Sequence, residues 1–194
     1  LDPNSRHSGK VDTENWLIKQ GIPFTSFRPT YIYGPGNYNP IEKWFFDRIL
    51  NNRPIPLPRD GHNITQLGHV SDLAQALTDS LEKEISNKRI YNCSGKKAIT
   101  FLGLLNSATR AVGKSMDEVK VKFFDPTGLD TKARKCFPIR MTNFYTDVSL
   151  IESELGWKET FDIDKGLQDS YKNDYLVFPR LAPDFTNDSN LLEI

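Results

Sequence analysis

The tract TKARKCFPIR gathers Lys132, Arg134, Lys135 and Arg140 around Phe137, the densest local positive charge in the chain. Ammonium and guanidinium groups neutralise phosphates, and an aromatic face can receive an unstacked base, so this mixture suits single-stranded RNA. Against it stands the plainer reading of four solvated charges in a loop. The loop RPTYIYGPGNYNP, residues 28 to 40, holds Tyr31, Tyr33 and Tyr38, rings that could line a ligand cleft or simply pack. Tyr38 joins the candidates for RNA or substrate contact. His69 in GHVSD could line such a cleft too, although a lone histidine at a strand end is more often a satisfied structural residue. Asp60 and Asp72 are carboxylates that a metal-assisted phosphodiester cleavage could recruit. Asp72, however, falls in a first helical turn, where the dipole favours a carboxylate without any metal, and no metal ligand is assigned.

Other spacings point to nothing. The GKS at residues 113 to 115 has Ala108 where a phosphate-binding loop needs its first glycine, and it follows a helix instead of a strand. Asn63 and Asn92 head glycosylation-like triplets that matter only in a secreted chain. Cys93 and Cys136 form no CxxC pair, which fits two ordinary small hydrophobes in a reducing compartment. With 25 basic and 25 acidic residues the net charge is zero, so nucleic-acid binding would need a local patch. The composition, 38% hydrophobic and 26% charged, is that of a soluble globular protein, with no membrane partner expected. No signal peptide is visible at Leu1, and a processed or truncated product is expected.

The elements that must position these residues follow from periodicity. Helices are expected over residues 10–20, ended by Gly21; over 41–52, with Pro40 in the first turn; and over 71–82, capped by Ser71. Further helices run from a Thr100 cap to about Gly113, from an Asp147 cap to Gly156, and over 163–176. Strands are expected at 22–29, 89–94 and 119–124, with an extended edge where Pro54, Pro56 and Pro58 forbid a helix. Residues 131–140 read as a basic loop, and the polar tail after Pro179 reads as loose. Strands separated by helices argue for an α/β layer arrangement with an incomplete parallel sheet.

Three pieces in order, a lysine-led helix with RPTYIYGPGNY, then DGHNITQLGHVSDLAQAL, then LGWKETFDIDKGLQDSY, resemble the extended short-chain dehydrogenase/reductase superfamily, the NAD-dependent epimerase/dehydratases. Within it, RHSGK, YIYGPGNYNPIEKWFF, RPIPLP, QLGHVSDLA and FPIR are similar to the chloroplast stem-loop-binding proteins and their cyanobacterial relatives. The resemblance implies the C-terminal part of a Rossmann-type fold with its smaller α/β substrate domain, the N-terminal dinucleotide-binding half being missing. It divides the chain into a Rossmann remnant (1–39), a mainly substrate-domain region (40–178) and a flexible tail (179–194). Lys10, Pro29, Thr30 and Tyr31 then stand at vestigial cofactor positions.

The departures from the superfamily bear on its chemistry. Arg6 occupies the place of the tyrosine that serves as acid/base four residues before the lysine, and a guanidinium exchanges no proton near neutral pH. Thr65 stands where epimerases carry a phosphate-binding arginine, though Arg140 could supply another contact. Gly34 and Gly36 make a GxG that no strand-turn-helix completes. No cofactor is therefore expected in this chain, and NAD(P) only if an N-terminal half is supplied. The resemblance implies RNA binding, with weak endonuclease activity as its catalytic form, in a chloroplast stroma or cyanobacterial cytoplasm. Two alternatives stand beside it: a truncated NAD(P)-dependent nucleotide-sugar epimerase or dehydratase, and a scaffold whose face left by the missing half is covered by a second copy or a partner chain.

Overall fold

A computed structural model describes residues 7–179 and 182–192. The elements run α1 (Ser8–Gln20), β1 (Thr25–Pro29), β2 (Tyr31–Tyr33), α2 (Ile41–Leu50), β3 (Ile55–Pro58), β4 (Ile64–Thr65), β5 (Leu67–His69) and α3 (Val70–Leu81), followed by β6 (Arg89–Cys93) and β7 (Ile99–Thr100). Then come α4 (Phe101–Ala111), β8 (Val121–Phe124), α5 (Thr131–Arg134), α6 (Ser149–Leu155), α7 (Ile163–Ser170) and α8 (Ser189–Leu192). The class is α/β, as expected.

The strands pair in twos. Parallel pairs join β1 to β6, β2 to β5 and β3 to β8, while β4 and β7 pair antiparallel. The three prolines near β3 are accommodated by its register. Ile55 N–H donates to Lys120 O and Arg59 N–H to Phe124 O, both at 2.7 Å, so the intervening Pro56 and Pro58 fall on the edge away from β8, where no donor is required.

Local chemistry sets most helix ends. Thr100 Oγ1 accepts from Gly103 N–H at 3.0 Å and caps α4, while Gly21 and Gly156 close α1 and α6 in the left-handed conformation. One expected cap moves. Ser71 lies inside α3, and His69 Nδ1 accepts from Ser71 N–H at 3.3 Å instead, because the strand runs straight into the helix without an intervening turn. The helix expected over 163–176 holds α-geometry only to Ser170, and residues Tyr171–Tyr175 form a π turn. Its wider winding lets Tyr171 and Tyr175 stack at 5.6 Å and both meet Phe46 edge-on.

Two apolar clusters result. One gathers Tyr33, Phe45, Phe46, Ile55, Leu57, Phe101, Leu105, Phe124, Phe137 and Leu167 between α2, α4, α7 and the β3–β8 pair. The other places Tyr91, Cys93, Ile151 and Trp157 between β6, α3 and α6. The tail departs from expectation. Residues 182–192 fold back, with Leu191 buried in the first cluster and Asp188 paired with Arg48 of α2. Apolar and ionic partners lying far away in sequence therefore order a segment whose own composition is polar. Among the described residues, no helix is long and apolar enough to cross a membrane.

Candidate functional site

The basic tract is not a free loop. Asp130 Oδ1 accepts from Ala133 N–H at 2.7 Å and caps α5, and Arg134 Nε donates to Leu129 O at 2.9 Å. Beyond the helix the backbone is pinned to the core at successive points. Trp44 Nε1 donates to Cys136 O at 3.1 Å, Arg140 N–H to Tyr31 Oη at 2.9 Å, and Phe144 N–H to Ile64 O at 3.0 Å. Asn143 Oδ1 takes Ile64 N–H at 3.0 Å, and Gln66 Oε1 takes Thr146 N–H at 2.7 Å. Lys132, Arg134, Lys135 and Arg140 thus stand exposed on a fixed backbone. The Arg140 guanidinium lies 5.1 Å from the Phe144 ring centroid, within cation–π range.

Phe137 requires a correction. It is only 3% exposed, with edge-on contacts to Trp44 and Phe101, so it cannot receive a base. Its proline-flanked position between two basic runs concealed that the chain dips into the core there. His69 is corrected in the same way: 1% exposed, it caps α3 and stacks on Phe161 at 4.0 Å, closed off from any cleft. Its Nε2 lies 3.2 Å from Asp169 Oδ2 without hydrogen-bonding alignment. Burial holds the His69 pKa below its ordinary value, against the opposing pull of Asp169. The plainer reading of this histidine is the one the geometry supports.

The residues at vestigial cofactor positions differ in exposure and partners. Lys10 is exposed on α1 and Pro29 is exposed at the end of β1, whereas the Thr30 hydroxyl is hydrogen-bonded to the Ser94 hydroxyl. The Tyr31 hydroxyl accepts from Arg140 N–H. Tyr38 is 100% exposed at the tip of its loop. Arg6 lies outside the described residues.

The carboxylates considered for metal are otherwise engaged. Asp72 Oδ1 and Oδ2 accept from the N–H groups of Thr160 and Phe161 at 3.0 and 3.1 Å, and Asp60 Oδ1 accepts from His62 N–H at 3.0 Å. Among the described residues no group of three or more His, Cys, Asp or Glu is placed to hold a metal ion.

A dinucleotide needs free amides at a glycine-rich turn opening a helix. Here Gly34 N–H donates to Glu42 Oε1 at 3.0 Å and Gly36 N–H to Asp174 Oδ1 at 3.2 Å, so both glycine amides of the GPG loop face carboxylates. Gly34, at φ 116°, is required for close packing: a Cβ there would come within 2.8 Å of His69 Nε2. This loop does not fit a pyrophosphate.

The parallel pairs flanked by helices, with the pinned segment crossing beside them, define an α/β protein. Comparison with known proteins agrees. Residues 5–94 match the NAD dependent epimerase/dehydratase family. The chain is 44% identical over 194 residues to the chloroplast stem-loop binding protein of 41 kDa b of Arabidopsis thaliana, covering 99% of this chain and 50% of that protein. It is 22% identical over 157 residues to dTDP-L-rhamnose 4-epimerase of Burkholderia thailandensis, covering 78% of this chain and 40% of the enzyme. UDP-glucuronic acid 4-epimerase from Bacillus cereus shares the fold with a TM-score of 0.69 at 18% identity, over 88% of this chain and 51% of its own. dTDP-glucose 4,6-dehydratase from Bacillus anthracis does so with a TM-score of 0.68 at 20% identity, over 92% and 55%. The NAD-dependent epimerase/dehydratase match thus covers residues 5–94, and the chain spans half or less of the length of these two sequence relatives.

Proposed function

We propose that this chain binds RNA on its epimerase-type scaffold, in a chloroplast. The observation that carries the reading is the basic segment from Lys132 to Arg140, whose exposed cations project from a backbone anchored to Trp44 and Tyr31. A fixed backbone lowers the entropy lost when cations meet phosphates, so charge held in register binds better than charge on a mobile loop. The 44% identity to a protein named for stem-loop binding, extending over 99% of this chain, supports the same reading and suggests the compartment.

The epimerase alternative has the fold in its favour, but the GPG loop has no amide left for a pyrophosphate, and the proposal does not include sugar-nucleotide turnover. Filter binding of a hairpin RNA at low salt tests the reading. The parent chain is expected to retain the hairpin, and the Lys132→Gln, Arg134→Gln, Lys135→Gln triple variant to lose most of that retention. Absence of binding by the parent would hand the argument to the epimerase or scaffold reading, and undiminished binding by the triple variant would move the site elsewhere.

A further inference from the structure

An exposed ring, Phe123, lies on β8, the strand that precedes α5 along the chain. In β8, Val121 and Phe123 share one face while Lys122 and Phe124 share the other. The core takes Phe124, which packs towards Phe137 with ring centroids 6.5 Å apart. Phe123 is thereby turned outward and is 49% exposed. Beside it, Arg59, Phe124 and Asp125 complete a shallow cavity of about 420 Å³.

Arg59 carries the second observation. It holds φ 58°, the left-handed region that a residue with a Cβ enters at a cost and that glycine enters freely. The turn is fixed from both sides, Arg59 N–H donating to Phe124 O at 2.7 Å and Gly61 N–H to Pro58 O at 3.1 Å. Arg59 keeps this conformation while its side chain lines the cavity. Asp125 accepts from Thr127 N–H at 2.9 Å, and its bonds with Thr127 hold its carboxyl below the usual range, so the cavity carries an anionic acceptor beside the cation. The loop from Asp125 to Asp130 leads directly into α5, which makes the cavity continuous along the chain with the basic segment.

We infer that this cavity is a nucleotide subsite that receives one unpaired base of a bound RNA. The base stacks on Phe123, Arg59 meets its phosphate, and the Asp125 carboxylate accepts from an exocyclic amino group on the base edge. An aromatic face is sequence-tolerant, whereas a carboxylate aimed at an exocyclic amino group favours adenine, cytosine or guanine over uracil, which offers only its N3–H. The inference rests on the RNA reading above and adds to it a place for single-stranded character, distinct from the phosphate contacts of α5.

The test uses the full chain with three probes: a hairpin RNA with an adenine-rich loop, the same stem closed by a uracil loop, and a fully paired duplex. Phe123→Ala is expected to weaken the adenine-loop hairpin about tenfold, the order of one lost base stack, and to leave the duplex unchanged. Asp125→Asn should narrow the preference for adenine over uracil loops. Arg59→Gly should weaken the hairpin a few-fold while raising the melting temperature, since it relieves the backbone; a merely structural arginine would not move the two in opposite directions. Full hairpin affinity in both Phe123→Ala and Arg59→Gly, with the parent still binding RNA, would overturn the subsite and leave the RNA reading standing. Failure of the parent to bind any of the three probes would overturn both.

Discussion

Arg48 and Asp188 meet at 2.5 Å between Nη2 and Oδ1 with their side chains only 6% and 4% exposed, joining α2 to the C-terminal segment. The Trp44 ring lies 3.8 Å below the guanidinium, and the Phe185 ring 5.6 Å away on the tail. Among the described residues Arg48 Nε and Asp188 Oδ2 have no further hydrogen-bond partner, so the pair sits close to the limit at which attraction offsets desolvation. Removing one partner strands the other. Asp188→Ala is expected to cost about 3–5 kcal/mol of stability, and the double variant Arg48→Met, Asp188→Leu to recover most of it. Urea unfolding of the three proteins checks this, and a single-variant loss under about 1 kcal/mol would contradict it.

Phe137, buried among Trp44, Phe101 and Phe124, should behave as a core residue. Phe137→Ala is expected to lose about 3–5 kcal/mol, with Phe137→Leu losing less, because a cavity opens between α2, α4 and β8. Thermal unfolding reads the loss. RNA affinity of the folded fraction should stay at the parent value, and a selective loss of RNA binding in a fully folded Phe137→Leu protein would restore this ring to the interface.

Lys132, Arg134 and Lys135 are exposed, and replacing all three with glutamine should leave stability within about 0.5 kcal/mol. Their effect belongs to the salt dependence of RNA binding. Three lost phosphate contacts on a single strand lower the slope of log K against log salt by about 2. A series of retention measurements between low and moderate salt gives that slope, and an unchanged slope would place the phosphate contacts on other lysines.

Glu42 is almost wholly buried, and burial holds its carboxyl above the ordinary value of 4.5 despite the N–H of Gly34. The folded state therefore keeps a proton that the unfolded chain releases. Stability contributed by the protonated form is fully present below pH 4.5 and declines as pH rises from there through the raised folded value. Glu42→Gln keeps an acceptor for Gly34 N–H and removes the titration. Its stability relative to the parent should rise with pH across that window in a series of melts, and a flat difference would show that Glu42 does not titrate there.

The 194-residue chain is expected not to bind NAD(H) or NADP(H), since the amides of Gly34 and Gly36 are held by Glu42 and Asp174. Fluorescence titration with NADH is the check. Saturable binding at micromolar NADH would show that Lys10 and the 28–40 loop hold the cofactor without a phosphate cradle.

What the sequence determined by itself was local. The helix of residues 101–111 is legible because its Thr100 cap and apolar repeat lie within one stretch of chain, and Gly21 and Gly156 announce helix ends by a backbone freedom that no neighbour alters. The α/β class follows from alternating periods, and the exposure of Lys132 and Lys135 from charge. What only the tertiary structure decided is which ring faces water and which carboxylate is engaged. Phe137 and Phe123 are the same residue type beside the same kind of cations, and their fates differ because α2 and α4 close over one while the other is left about half exposed. Likewise the C-terminal segment is ordered by Arg48, the GPG amides are taken by Glu42 and Asp174, and Tyr31 reaches Arg140, all across long separations in sequence. Burial depends on surfaces assembled from distant segments, and the residues next to Phe137 or Asp188 carry no record of the partners that the fold brings to them.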